Sequence, residues 1–342
     1  MKKIKILSID GGGIRGIIPG VILTYLEKRL QQITATNLKI GDFFDFVAGT
    51  STGGILACLY LVPGEDGKAK YSANDAVQLY AKDGQEIFAR SFFEKNIFYS
   101  LLRPKYRVEH LEKYLGQFFG DVKLNQLIKP CLITAYEIAQ RSAVLFTSAD
   151  ANDSLRNFFV RDVARATSAA PTYFSPAHIQ SDEGQFFSLT DGGVYANNPA
   201  LCAYAEARKI KFKTLFNDAK ADCPSANDML IVSIGTGTVK KQYHYEDFEN
   251  AGTVKWLEPI IDILMAANSE TVDYQLTKMY ETLSAADSED YHRIEPPLFE
   301  ACPEMDDASP ENLEKLKQAG LYYTEKNEKL LEEIAAKIVA NS

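Results

Sequence analysis

Twice within the first sixty residues a short apolar run ends in a glycine-rich turn that opens straight into a helical pattern. The first run, Ile4–Ile9, is followed by Asp10-Gly11-Gly12-Gly13-Ile14-Arg15-Gly16; the second, at 44–48, is followed by Gly49-Thr50-Ser51-Thr52-Gly53. A βαβα start of this kind restricts the chain to an α/β architecture, because two strands joined through a helix pair in parallel. Strand-like runs recur at 132–138, 143–147, 186–189 and 230–234, with helical patterns at 161–166 and 199–210 between them. That alternation predicts a mostly parallel sheet with helices on both faces. The two runs either side of Gln140-Arg141 predict an antiparallel hairpin at one edge.

Local signals place several helix ends. Asn198 followed by Pro199, and Ser309 followed by Pro310, each pair a capping side chain with a proline suited to the first helical position. From Ser309 onward the pattern predicts two amphipathic helices broken at Gly320, the second carrying an apolar stripe of Leu330, Leu331, Ile334 and Ile338. No fixed-period repeat or Pro/Gly/Ser linker divides the 342 residues. The expectation is one domain spanning 1–342, with a core at about 4–240 and a C-terminal helical part at about 255–342 docked on it.

Charge and cysteine usage narrow the function classes. A formal net charge of −9 disfavours nucleic acid as a partner and permanent adsorption to anionic lipid. The apolar stretch from Ile4 ends at Asp10, shorter than a secretory signal, and the most apolar run, from Ile55 to Val62, falls far below the roughly 20 residues that span a bilayer. The expected location is therefore cytoplasmic or peripheral to a membrane, although unconventional secretion would leave no N-terminal mark. Five cysteines without a CxxC pair fit reduced thiols, and neither a metal nor a cofactor is expected.

Three segments have the composition that chemistry requires. Gly49-Thr50-Ser51-Thr52-Gly53 lies between a strand and an apolar helix, the context of a nucleophile elbow. A sharp turn there exposes the Ser51 hydroxyl, and Gly49 and Gly53 relieve the backbone crowding. A plain glycine-serine turn is the bland alternative. In the first loop, successive glycines Gly11, Gly12 and Gly13 let backbone amides converge on one anion, as in an oxyanion hole, with Arg15 as a nearby cation or simply a solvated side chain. Gly11, Gly13 and Gly16 also satisfy GxGxxG, the dinucleotide fingerprint, but the stretch 30–36 supplies no acidic residue for a ribose. Finally, Asp191-Gly192-Gly193 follows a strand-like run and could present a carboxylate or merely form an Asp-Gly turn. Asp10-Gly11 looks locally the same, so spacing does not choose between Asp10 and Asp191.

A serine nucleophile usually takes its base from histidine. Of the four histidines, His110, His178, His244 and His292, only the last two follow the serine and a strand-end acid in the order of a hydrolase triad, and neither sits in a glycine-rich strand-end context.

These motifs, in this order and spacing, resemble the patatin-like lipid acyl hydrolases. The likeness rests on 9–20, 49–54 and 191–193, continues through 166–174 and 233–237, and covers nearly the whole chain. It implies a three-layer α/β/α sandwich and a Ser-Asp dyad without histidine: Ser51 attacks, Asp191 takes its proton, and the Gly11–Gly13 amides hold the oxyanion. The implied substrates are acyl lipids of a membrane or micelle, met peripherally, with an activator or partner protein left open. A non-catalytic lipid-binding module and a GxGxxG nucleotide-binding protein are the alternatives. For a lipid route, residues 88–119 interleave aromatics with Arg90, Lys95, Arg103, Lys105 and Arg107, which suits an interfacial surface or lid as well as ordinary packing of an insertion.

Overall fold

The computed structural model describes residues 1–88, 103–216, 219–238 and 243–342. Strands β1 (Ile4–Ile9), β2 (Phe46–Gly49), β3 (Cys131–Glu137), β4 (Ser142–Thr147), β5 (Ala177–Gln180), β6 (Phe186–Asp191), β7 (Met229–Ile234) and β8 (Tyr291–Ile294) form one sheet in the order β5-β6-β3-β2-β1-β7-β8, with β4 against β3. The run from β3 to β8 is parallel throughout; β4 and β6 are antiparallel to β3. The predicted hairpin turns at Arg141, whose φ is +54°. β5 is a strand that the apolar pattern missed, because its residues alternate buried and exposed over only four positions.

Period-two alternation sorts the central strands between two cores. Leu7, Ile9, Val47, Ile133, Val232 and Ile234 face one side; Ile4, Ile6, Phe46, Ala48, Leu132 and Ile231 face the other. On the first side pack helices α1 (Ile17–Thr34), α2 (Thr52–Leu61), α3 (Ala73–Ile87), α4 (Val108–Phe119) and α5 (Val160–Thr167). The second side is covered by α6 (Ala200–Ala207) and by the inner half of α7 (Thr253–Glu281), through Val272, Leu276 and Tyr280. The protein is thus a three-layer α/β/α fold with a mostly parallel central sheet.

The C-terminal segment is more deeply built in than a docked helical part. Its α7 covers one face, β8 extends the sheet beside β7, and α8 (Pro310–Lys326) and α9 (Glu328–Ala340) cover the other face. Ser309 caps α8 through Asn312 N–H (3.3 Å) with Pro310 at the first position, as expected. The break between the last two helices, however, falls at Asn327 and not at Gly320. Gly320 lies inside α8 because a Cβ there would stand 2.8 Å from Val21 Cβ on α1: it is a close helix crossing, not a stop. Leu331, Ile334 and Ile338 are buried along α9 and Leu330 is partly so. Asn198 caps from one residue further out than predicted, accepting from Ala200 N–H at 3.0 Å while α6 begins at Ala200.

Candidate active site

Two strand ends meet head-on in the middle of the sheet. β2 runs parallel to β3 and ends with Gly49 opposite Ile133; β6 runs the other way and ends with Asp191 opposite Ala135. Both ends therefore converge over Thr134 on the same flank of β3, since β4 occupies its other flank. That convergence brings together residues 140 positions apart (191 − 51). Thr134 Oγ1 hydrogen-bonds Thr50 Oγ1 at 2.7 Å, and Thr50 Oγ1 also donates to the Ala196 carbonyl at 2.6 Å, tying the two turns to each other.

Ser51 occupies the turn between β2 and α2 with φ +54° and ψ −123°, a conformation costing a non-glycine residue about 1–3 kcal/mol. The turn is so tight that a Cβ on Gly49 would approach Gly53 O to 2.1 Å, and one on Gly53 would approach Ile9 O to 2.1 Å. Glycine is required at both positions. The Ser51 amide is held by Thr167 Oγ1 (2.8 Å), leaving the hydroxyl to face a cleft.

Asp191 is 4% exposed and lines the same cleft. Its Oδ1 accepts from Gly193 N–H at 2.7 Å, and its own N–H donates to Ala169 O at 3.1 Å. Burial lifts its pKa to about 7, while the Ser51 hydroxyl and the Gly193 amide pull it part of the way back. A carboxyl with a pKa near 7 is a far better proton acceptor at neutral pH than an ordinary one near 4.

The glycine loop behaves differently at each position. Gly11 N–H donates to Asn197 O (3.1 Å), so this amide is already engaged and cannot serve an oxyanion without breaking that bond. Gly13 lines the cleft, and among the described residues no acceptor meets the amides of Gly12 or Gly13. The Thr52 amide, first in α2, is likewise without an acceptor among them, one of the free N–H groups expected at the start of the helix after Ser51. Arg15 is not at the cleft. Its guanidinium binds the carbonyls of Gly12 (3.2 Å) and Gly237 (3.4 Å), bracing the loop.

Asp10 is separated from Asp191 by its partners. Arg293 on β8 holds it with two bonds, Nη1 to Oδ1 at 3.0 Å and Nη2 to Oδ2 at 2.7 Å, and Ser269 Oγ adds a third at 3.3 Å. Neither Arg293 nor Ser269 carries a local signal, because each lies more than 250 positions from Asp10 in the chain. None of the four histidines lines the cleft. His110 and His244 are exposed, His178 stacks on Phe186 at 4.8 Å, and burial pushes His292 down to about 4.

The walls of the cleft are almost wholly apolar. Phe88, Leu111, Phe119 and Phe174 line it together with Ile261, Leu264, Met265 and Met305. Of the aromatic-basic stretch 88–119, residues 89–102, with Arg90 and Lys95, lie outside the described residues. The remainder turns its aromatics inward, Phe88 packing edge-on against buried Tyr106 at 5.3 Å, so this part forms a cleft wall and not an outward-facing surface.

Fold and site together define a three-layer α/β protein that sets a serine on a strained strand–helix turn beside a buried carboxyl, under an apolar cleft. The chain belongs to the patatin-like phospholipase family, whose family model matches residues 7–204. It is 34% identical to Patatin-like protein 2 of Oryza sativa over 96% of this chain and 85% of that one. It is 35% identical to Patatin-like protein 4 of Arabidopsis thaliana (93% and 82%), and 33% identical to a Solanum tuberosum relative named probable inactive patatin-3-Kuras 1 (93% and 85%). At the level of its family it is a lipid acyl hydrolase.

Proposed function

We propose that the protein cleaves fatty-acyl esters of phospholipids or related lipids, with Ser51 as nucleophile and Asp191 as its base. Ser51 Oγ attacks the ester carbonyl carbon as its proton passes to Asp191, and the amides of Gly12 and Gly13 receive the carbonyl oxygen as it becomes negative. The intermediate collapses with cleavage of the ester C–O bond; Asp191 returns the proton to the departing alcohol, leaving an acyl-Ser51. Water then attacks the acyl carbon, Asp191 takes its proton, and collapse releases the fatty acid while Ser51 regains its hydrogen. No cofactor enters these steps, and the partner is a lipid aggregate met from one side.

The observation that carries this reading is the buried Asp191 carboxyl, raised to about 7 and set against Ser51 at the floor of an apolar cleft. The test is hydrolysis of p-nitrophenyl butyrate and of mixed phospholipid vesicles by the wild type, Ser51→Ala, Asp191→Asn and the double change His244→Ala/His292→Ala. Loss of both activities in the serine and aspartate variants alone is the expected result. Equal loss in a correctly folded histidine double variant would sink the dyad.

A further inference from the structure

Helix α7 changes character halfway along. Its inner part is fixed to both loops of the site: Asn268 Nδ2 donates to Tyr195 O (2.8 Å), Asn268 Oδ1 accepts from Asn198 N–H (3.1 Å), and Ser269 Oγ accepts from Asn197 Nδ2 (3.0 Å) and donates to Asp10 (3.3 Å). Its outer part leaves a row of large apolar side chains in solvent. Trp256 is 38% exposed, Ile260 46%, Ile263 39% and Leu264 52%. The spacing i, i+4, i+7 and i+8 puts them on one stripe of the helix.

This stripe runs into the cleft. Leu264 belongs to both, being half-exposed and a cleft-wall residue, and Ile261 and Met265 on the adjoining side of the helix line the cleft interior. Val194, 38% exposed, stands at the same rim. An acyl chain leaving a lipid layer pressed against the stripe would enter the cleft along continuous apolar surface. Residues 253–265 contain one lysine against Glu258 and Asp262, and the whole chain carries −9, so there is no basic excess to select anionic headgroups. Trp256, packed on Phe248 at 4.7 Å and partly exposed further out along the stripe, suits the headgroup level of a bilayer, where its ring is half apolar and half wet.

We infer that the outer half of α7, through Trp256, Ile260 and Ile263, is the surface by which the protein docks on a zwitterionic lipid layer, aligned so that the cleft mouth opens into the acyl region. The assignment rests on the lipid-hydrolase reading of the cleft and deepens it by naming where lipid enters. It places the interfacial surface on the outer half of α7 and not on the described part of the stretch 88–119.

Trp256 is the sole tryptophan of the chain, so its emission reports this surface without a label. Phosphatidylcholine vesicles are titrated into the full chain carrying Ser51→Ala, so that no substrate is consumed, and into the same chain with Ile260→Asp/Ile263→Asp added. The expected result is a blue-shifted, brighter Trp256 emission, quenched by brominated acyl chains, with co-flotation on the vesicles. The two aspartates should weaken that partition about tenfold or more, since each replaces an aliphatic side chain that the lipid would bury. With Ser51 restored, they should reduce vesicle hydrolysis to match while p-nitrophenyl butyrate turnover stays within about twofold. Flotation with an unshifted Trp256 would overturn the assignment, as would partition indifferent to the aspartates. It would also fall if light scattering showed a dimer that the aspartates dissociate and no vesicle binding. Shifted emission on vesicles with no ester turned over by the Ser51-containing chain would leave the docking surface standing and remove the catalytic reading instead.

Discussion

The loops after β1 and β6 are nearly the same sequence put to different ends. Each closes a strand with aspartate and two glycines, Asp10-Gly11-Gly12 and Asp191-Gly192-Gly193, and each aspartate is almost fully buried. Asp10 meets a guanidinium at two points and a serine hydroxyl at a third. Asp191 meets a hydroxyl and a backbone amide, with no cation among its partners; burial raises both carboxyls, to about 7 at Asp191, but only at Asp10 does a guanidinium oppose it. A buried carboxyl compensated by a cation is held as an anchor, whereas one without a cation is pushed toward its neutral form. What separates the two is therefore Arg293, supplied from the far end of the chain.

Removing each carboxyl should break different properties. In Asp191→Asn we expect kcat on a soluble ester to fall by about 10²–10⁴, the range for a lost general base. The same change should stabilise the fold above pH 7. The folded pKa lies above the unfolded value, so the native state holds the extra proton and ionisation costs stability as pH rises from about 4 through about 7. Calorimetry at pH 8 should accordingly give a higher Tm for Asp191→Asn than for the wild type; a lower Tm would mean that the charge is compensated after all.

Asp10→Asn should do the reverse. It leaves Arg293 buried with only Glu295 as a charged partner, and removing one side of such a pair costs about 3–5 kcal/mol. Denaturant unfolding should register that loss, and activity should fall with the population of folded protein. If the variant unfolds like the wild type, the anchor role of Asp10 is wrong.

The pH dependence sharpens the comparison further. With Asp191 as base, kcat/KM should rise with pH and level off above about 7, falling about tenfold per unit well below it. Glu295, beside Arg293, is also raised to about 7, chiefly by burial, and could imitate this profile. The two are separable, because Glu295→Gln should leave the acid limb in place if Asp191 controls it. The smallest effect is expected for Ser269→Ala, which removes the hydrogen bonds to Asp10 and from Asn197 and should cost about 1–2 kcal/mol in urea unfolding, with the plateau of the pH profile unmoved.

The architecture and the two turns were legible in the sequence for local reasons. Strand periodicity and glycine spacing are short-range properties: a Cβ on Gly49 collides with the Gly53 carbonyl four positions on (53 − 49), and Ser309-Pro310 caps the helix it begins. Sequence patterning therefore placed the α/β class, the elbow at Ser51 and most strands within a residue or two. Gly320 misled because a helix crossing against α1 and a helix stop use the same residue, and only the position of Val21 tells them apart. The different partners of Asp10 and Asp191, the engagement of Gly11 by Asn197 and the inward turn of the described part of the aromatic stretch are set by tertiary structure. Each depends on which distant group fills the space beside a side chain, and local periodicity carries no record of that. The head-on meeting of β2 and β6 over Thr134 belongs with them, since strand order and direction are global properties and they bring Asp191 to Ser51 across 140 residues.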